Sequence, residues 1–241
     1  MTGSSAIEID GLAFAFEQTN LILQDLNFAI RIGERVAVMG PSGSGKTTLL
    51  KVIAGLRGYK PTQGSCSRSG RFAMAFQQPL LLDHLSVRAN ILLPARLSNS
   101  QPAIDDVVEI LGLDDVLDRY PYQLSGGQQR RVALARALSI PGTQGLLMDE
   151  PFTGLDEPLR ERILVEVETA LDALNRTCVF ATHSPFEAAF LSDRIVFLGG
   201  LPATIVAEHQ VQMARGKRHE LLEEKQFYEE VRLVRQRLAV H

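Results

Sequence analysis

The eight residues Gly40-Pro41-Ser42-Gly43-Ser44-Gly45-Lys46-Thr47 constrain this chain more than any other segment. They fit the pattern G-x-x-x-x-G-K-[ST]. They follow an uninterrupted apolar run, Val36-Ala37-Val38-Met39, and precede Leu49, Leu50, Val52 and Ile53 at helical spacing. Phosphate oxygens carry several negative charges and need donors at close range. Glycines lack Cβ, so backbone N–H groups can turn inward, and a helix opening near Gly45 adds its positive dipole end. Lys46 is placed to reach β- and γ-phosphates, and the Thr47 hydroxyl to ligate Mg²⁺. A loop that is merely flexible has no need of a covered strand before it and a helix after it. The expectation is nucleotide phosphate binding, with residues from Gly40 through Thr48 around the phosphates. The use made of the energy is not specified by this loop.

The rest of the chain supplies the setting. Ile7 to Phe16 and Leu26 to Ile32 alternate apolar and polar residues, the period of half-buried strands. Short apolar runs return at Gly145-Leu146-Leu147-Met148, Cys178-Val179-Phe180-Ala181 and Ile195-Val196-Phe197-Leu198, as in strands covered on both faces. A helical stretch from Pro158 to Leu174 separates the first two. From about Pro79 to Pro141 strand signals fade and helical spacing takes over, at Val87–Leu97, Ile104–Leu111 and after Ser125. The last segment, Lys217 to Leu238, reads as a surface helix. The expected fold is α/β: a phosphate-loop (RecA-like) core with a mostly parallel sheet, antiparallel strands at the N-terminus and an inserted helical subdomain. We divide a single domain, 1–241, into a catalytic core of 1–78 and 142–241 and a helical part of 79–141.

Charge and composition narrow the partners. Twenty-five Lys and Arg stand against 28 Asp and Glu, a net charge of −3, which argues against a nucleic-acid partner. The two cysteines, Cys66 and Cys178, lack ligand spacing and read as free thiols. No stretch approaches the roughly 18 apolar residues of a membrane span, and the first residues do not read as a signal peptide. The sequence reads as that of a soluble chain able to dock on a membrane protein.

A second glycine-rich helix start follows at Leu124-Ser125-Gly126-Gly127-Gln128. A serine hydroxyl, exposed N–H groups and a helix dipole make an anion site here too. One nucleotide does not need two such starts on one chain. The economical reading is that Ser125, Gly127 and Gln128 face a nucleotide held by another copy; an ordinary capped helix is the bland alternative. The third element is the apolar run ending in Asp149-Glu150-Pro151. Ligands bind at strand ends in open α/β sheets. Adjacent strand residues point opposite ways, so Asp149 suits the Mg²⁺ side while Glu150 orients or deprotonates the attacking water.

With these motifs in place, nearly the whole chain resembles the nucleotide-binding subunits of ABC transporters. GPSGSGKT is similar to their Walker A loop, LSGGQ to their signature motif and GLLMDEP to their Walker B strand. The resemblance implies that Phe16 stacks on adenine, with Phe14 as competitor. It implies that Gln77 senses Mg²⁺ and couples to the membrane subunits, that Asp156 lies in a loop crossing the dimer interface, and that His183 contacts the γ-phosphate. Thr47, Gln77 and Asp149 are then the metal-side residues, and Lys46, Glu150 and His183 the catalytic ones. ATP and Mg²⁺ are the implied substrate and cofactor. The implied assembly is a head-to-tail homodimer that ATP closes and hydrolysis reopens, on the inner face of a membrane. Its partners are separate permease subunits, docked in a groove beside Gln77, and a periplasmic solute-binding protein.

Residues 182–189 and the stretch after Arg194 resemble the nitrate/sulfonate/taurine importer group, which implies uptake of a small anion. An exporter, a lipid-extraction complex, a soluble ABC ATPase and a regulatory module without turnover remain as alternatives. Ser184 stands where this family more often has Asp. The stretch from Gly58 to Phe72 implies a trimmed hairpin, and that between Leu97 and Tyr120 an abbreviated helical lobe.

Overall fold

The computed structural model describes residues 4–16, 20–98, 104–215, 218, 220, 222 and 224–240. The motif loop leaves β3 (Arg35–Met39) and enters α1 (Lys46–Ala54), as its spacing predicts. Every residue of β3 is buried, and alternation sorts its side chains. Val36 and Val38 face a cluster with Leu49, Leu50 and Ile53. Ala37 and Met39 face the opposite cluster.

That sheet has six strands. β5 (Arg71–Ala75), β6 (Thr143–Asp149), β7 (Thr177–Ala181), β3 and β8 (Arg194–Gly199) lie parallel in that spatial order. β9 (Thr204–Gln210) closes the edge antiparallel to β8. β1 (Ser5–Ala15) and β2 (Leu21–Arg31) form an antiparallel pair, extended on the other side of β1 by β4 (Gln63–Arg68). The α/β class and the antiparallel N-terminal strands are thus as expected. β4, β5 and β9 are additional. Only two residues separate β4 from β5, yet they pair in different sheets, so the Gly58–Phe72 stretch joins the two layers and is no hairpin.

Between β5 and β6 the described residues hold helices and no strand: α2 (Val87–Leu97), α3 (Asp105–Ile110) and α4 (Gly126–Leu138). Val87, Ile91, Val107, Leu111, Val132 and Leu134 join the same apolar cluster as Met39, Ala75, Leu146, Met148 and Phe180 of the sheet. Asn90, fully buried, locks the turn before α2. It donates to the carbonyls of Leu82, Leu85 and Ser86 and accepts from the Leu82 N–H.

α5 (Glu157–Ala173) covers the sheet beyond β6. The short α6 (Pro185–Leu191) packs on the terminal helix α7 (Lys225–Val240) through Phe186 and Phe190 against Phe227. A buried pair, His209 Nε2 and Glu230 Oε1 at 2.6 Å, ties β9 to α7. The terminal helix begins later than its apolar spacing suggests, and Lys217 and Leu221 lie outside the described residues. No helix among the described residues is long and apolar enough to cross a membrane.

What matters for chemistry is where the strands end. Asp149 stands level with Ala181, and Ala181 level with Val38. The loops after β3, β6 and β7 therefore leave the sheet side by side.

Candidate functional site

The loop after β3 frames a pocket of about 320 Å³, lined by Ser42 through Thr48 with Ile22, Gln77 and Glu150. Helix α1 opens on Gly45, which is left-handed (φ +82°). It has no side-chain cap and no acidic residue in its first turn. The first N–H groups of a helix have no intrahelical acceptor, so they stay available to an anion. Ser44 adds a buried hydroxyl with no hydrogen-bond partner among the described residues. Those two features fit a bound phosphate chain.

Lys46 is only 6% exposed and donates to the carbonyls of Gly40 and Pro41, at 2.9 Å each. Burial pushes its ammonium below its ordinary pKa, while Glu150 and Asp149 pull it back up. The charge is thus already stripped of water and held at the mouth of the loop. Thr47 Oγ1 donates to Asp149 Oδ1 at 2.8 Å. Burial pushes the Asp149 carboxyl up, against the Thr47 hydrogen bond. A hydroxyl and a buried carboxylate side by side are hard oxygen donors suited to Mg²⁺. That ion is held by few protein oxygens and completes its shell with phosphate oxygens and water.

Gln77 lines the same pocket as Thr47. Its amide nitrogen lies 3.4 Å from Glu150 Oε2.

Glu150 is the focus of the remaining groups. Its carboxylate also lies 3.3 Å from the Thr153 hydroxyl and 3.9 Å from His183 Nδ1. Asp149 and Glu150 have different neighbours, but not by strand alternation. β6 ends at Asp149, and Glu150 takes left-handed backbone (φ +46°), rare for a non-glycine residue. The backbone reversal is what turns its side chain toward Gln77 and His183. The imidazole of His183 is exposed, while its neighbours are anchored. Thr182 Oγ1 donates to the buried Glu187 and accepts from the Ser184 N–H, and Ser184 caps α6. Serine at 184 therefore has a local role.

The second glycine-rich start is not in this pocket. Ser125 and Gln128 form a capping box: the Gln128 N–H donates to Ser125 Oγ, and the Ser125 N–H to Gln128 Oε1. Gly127 is buried, and a Cβ there would come 2.7 Å from Leu159 Cδ2. Gly126 is the exposed glycine, with open space where a Cβ would sit. Asp156 caps α5 by accepting from the Leu159 N–H. Phe16 is 57% exposed and meets Phe14 and Tyr59 edge-on, whereas Phe14 is buried and stacked on Tyr59. Exposure leaves Phe16 as the one of the pair open to a ligand.

Sequence reasoning missed Ile22, Tyr59, Thr153 and Arg130. Ile22 and Thr153 act through position alone, and no residue pattern marks them.

Comparison with known proteins agrees with this arrangement. Residues 23–153, more than half of the chain, match the family described as ABC transporter. The chain belongs to that family. The ATP-binding subunits of the family are ATPases. It is 38% identical over 192 residues to the sulfate/thiosulfate import ATP-binding protein of a Synechocystis strain, covering 73% of this chain and 53% of that one. It is 39% identical over 210 residues to the spermidine/putrescine import ATP-binding protein of Treponema pallidum, covering 80% and 54%. The chain thus spans about half the length of the curated relatives it matches. Among solved structures, it superposes on the dimeric ATP-binding cassette MJ0796, bound to ADP and Pi in a post-hydrolysis state. The TM-score is 0.73 at 27% identity, over 86% of this chain and 100% of that one.

Proposed function

We propose that this chain hydrolyses ATP as the motor subunit of an ABC import system, working as a head-to-tail dimer beneath separate membrane subunits. The observation that carries the reading is the convergence on one pocket of a phosphate-ready helix start, a buried Lys46 and the Glu150–Gln77 pair, with His183 beside Glu150. Lys46 and the first N–H groups of α1 bind the phosphates. Thr47 and Asp149 hold Mg²⁺, which when bound neutralises developing charge on the phosphate oxygens. Glu150 accepts a proton from the attacking water, which Gln77 and His183 help to orient.

Dimerisation is supported by what the pocket lacks. Ser125, Gly127 and Gln128 stand outside it; the capping box occupies the Ser125 and Gln128 N–H groups, and the tip of α4 exposed at Gly126 would close on the nucleotide of a second copy. Phe16 would meet the base, and Asp156 would lie near the seam. In the domain reading, residues 79–141 carry this tip, and the groove beside Gln77 receives a helix of the permease. The location would be the inner face of the membrane, with a solute-binding protein outside it.

The two relatives described above are named for import of sulfate or thiosulfate and of spermidine or putrescine, anions in one case and polycations in the other. The nitrate/sulfonate/taurine assignment therefore gains no selective support, and the solute is set by the membrane subunits.

Two variants test the reading. Lys46→Ala should abolish ATP-dependent phosphate release. Glu150→Gln should accumulate an ATP-bound dimer on a sizing column in ATP and Mg²⁺. A Glu150→Gln protein that stays monomeric at saturating nucleotide would refute the dimer.

A further inference from the structure

Glu150 sits in left-handed backbone (φ +46°), which is strained for a non-glycine residue and persists only where surrounding structure over-determines it. Its N–H donates to the Ala181 carbonyl, which fixes the strand side. The other side of the turn is braced from α4. Arg130 Nη1 donates to the Pro151 carbonyl at 2.8 Å and reaches the Glu150 carbonyl at 3.5 Å. Its other terminal nitrogen lies 3.9 Å from where a Cβ on Gly154 would be. The guanidinium therefore underlies the whole 150–154 turn.

The contact is partly buried. Arg130 lines a small gap of about 10 Å³ with Ala75, Phe76, Pro79, Ala133 and Pro151. About one water fits in that gap.

We propose that Arg130 is a positioning residue for Glu150: through the Glu150 and Pro151 carbonyls it holds the left-handed turn that aims the carboxylate at Gln77 and His183. Arg130 touches no reacting atom, and its removal lets the turn relax and the carboxylate swing off the water. The inference rests on the ATPase reading above.

The test measures phosphate release by the full chain against ATP concentration for wild type, Arg130→Met and Arg130→Lys. Glu150→Gln and the double variant Glu150→Gln/Arg130→Met are run on a sizing column with ATP and Mg²⁺. Arg130→Met should lower kcat by about tenfold or more. KM for ATP should move by less than about twofold, since no ground-state contact to nucleotide is lost. Arg130→Lys, which keeps a cationic donor, should recover most of the rate. Both Glu150→Gln proteins should form the nucleotide-bound dimer, because the missing step is chemistry. Unchanged kcat, a loss residing in KM, or no rescue by lysine overturns the proposal. If Arg130→Met does not fold, Arg130→Gln is read by the same criteria. A wild-type chain without turnover refutes the ATPase reading and this proposal with it. Wild-type turnover that Arg130→Met retains refutes this proposal alone.

Discussion

Two alanine substitutions in the phosphate loop separate the reasons for its glycines. At Gly40 an added Cβ would lie 2.5 Å from the Leu198 carbonyl oxygen and 2.7 Å from Ser44 Oγ. The carbonyl belongs to β8, which is hydrogen-bonded to strands on both sides, so it cannot retreat without disturbing the sheet. Overpacking of this kind costs up to about 3 kcal/mol. At Gly43 nothing lies within 4 Å of the added atom, but φ is +81°. Left-handed backbone costs an alanine about 1–2 kcal/mol, and reduced freedom of the unfolded chain returns about 0.4–1 kcal/mol. The net loss at Gly43 is therefore between about 0 and 1.6 kcal/mol. For a chain of this length 1 kcal/mol moves the melting temperature by about 2–4 °C. Gly40→Ala should melt up to about 6–12 °C below wild type and Gly43→Ala within about 6 °C of it, with the larger drop at Gly40. Thermal unfolding followed by circular dichroism, without nucleotide, reads both. Equal midpoints, or a larger drop at Gly43, would refute the argument that contact and not conformation dominates at Gly40.

Ser125→Ala removes the capping box of α4 and should cost about 1 kcal/mol in urea unfolding without nucleotide, separate from any loss of phosphate release; an unchanged midpoint would mean the box is idle. Burial pushes the Glu187 carboxyl up, so its ionised form is disfavoured in the folded state. The folded chain then binds more protons than the unfolded one just above the ordinary glutamate range, and stability falls as pH rises through that window. Glu187→Gln keeps an acceptor for Thr182, so its stability relative to wild type should increase across the same window in urea titrations; a constant difference would contradict the assignment. Cys178 is fully buried with its thiol pushed up to about 12, while Cys66 is partly exposed. An aromatic disulfide reagent at neutral pH should therefore label one cysteine in the folded chain and both after denaturation. Rapid labelling of both in the folded chain would contradict that burial.

How far the sequence could be read depended on whether a residue's role is local. The strand–loop–helix unit around Lys46 was legible because each part is signalled within a few neighbours: a run of apolar residues, glycines, then helical spacing. The helices α2 to α5 were legible for the same reason. β4 was not. Its sequence, QGSCSR, is polar and almost wholly exposed, and it is a strand only because β1 accepts it as a partner across some 50 residues of chain. β9 is similarly half-exposed and is defined by β8. At the site, the Asp149–Glu150 pair announced two carboxylates, but the left-handed turn that separates them depends on Ala181 and Arg130, both distant in sequence. Gln77 was placed by resemblance alone, and its contact with Glu150 follows from the turn that brings that carboxylate to it.

The electrostatics of the pocket link fold stability to ligand binding. Burial disfavours the charged forms of Lys46 and Asp149 in opposite senses, lowering one pKa and raising the other. Both charges are thus desolvated by the fold itself, before any nucleotide arrives, and the cost falls on the unliganded chain. Under the proposed function, a triphosphate with Mg²⁺ would supply an anion to the lysine and a cation to the aspartate, groups whose charged forms burial already disfavours. Part of the binding free energy then reappears as folding stability, because the unfolded chain has no such arrangement and does not compete for the ligand. On this argument the loop's left-handed glycines, which need no Cβ space, and its buried charges are two aspects of one device. The backbone is held open by the sheet so that the charges can be held dry, and neither is useful without the other.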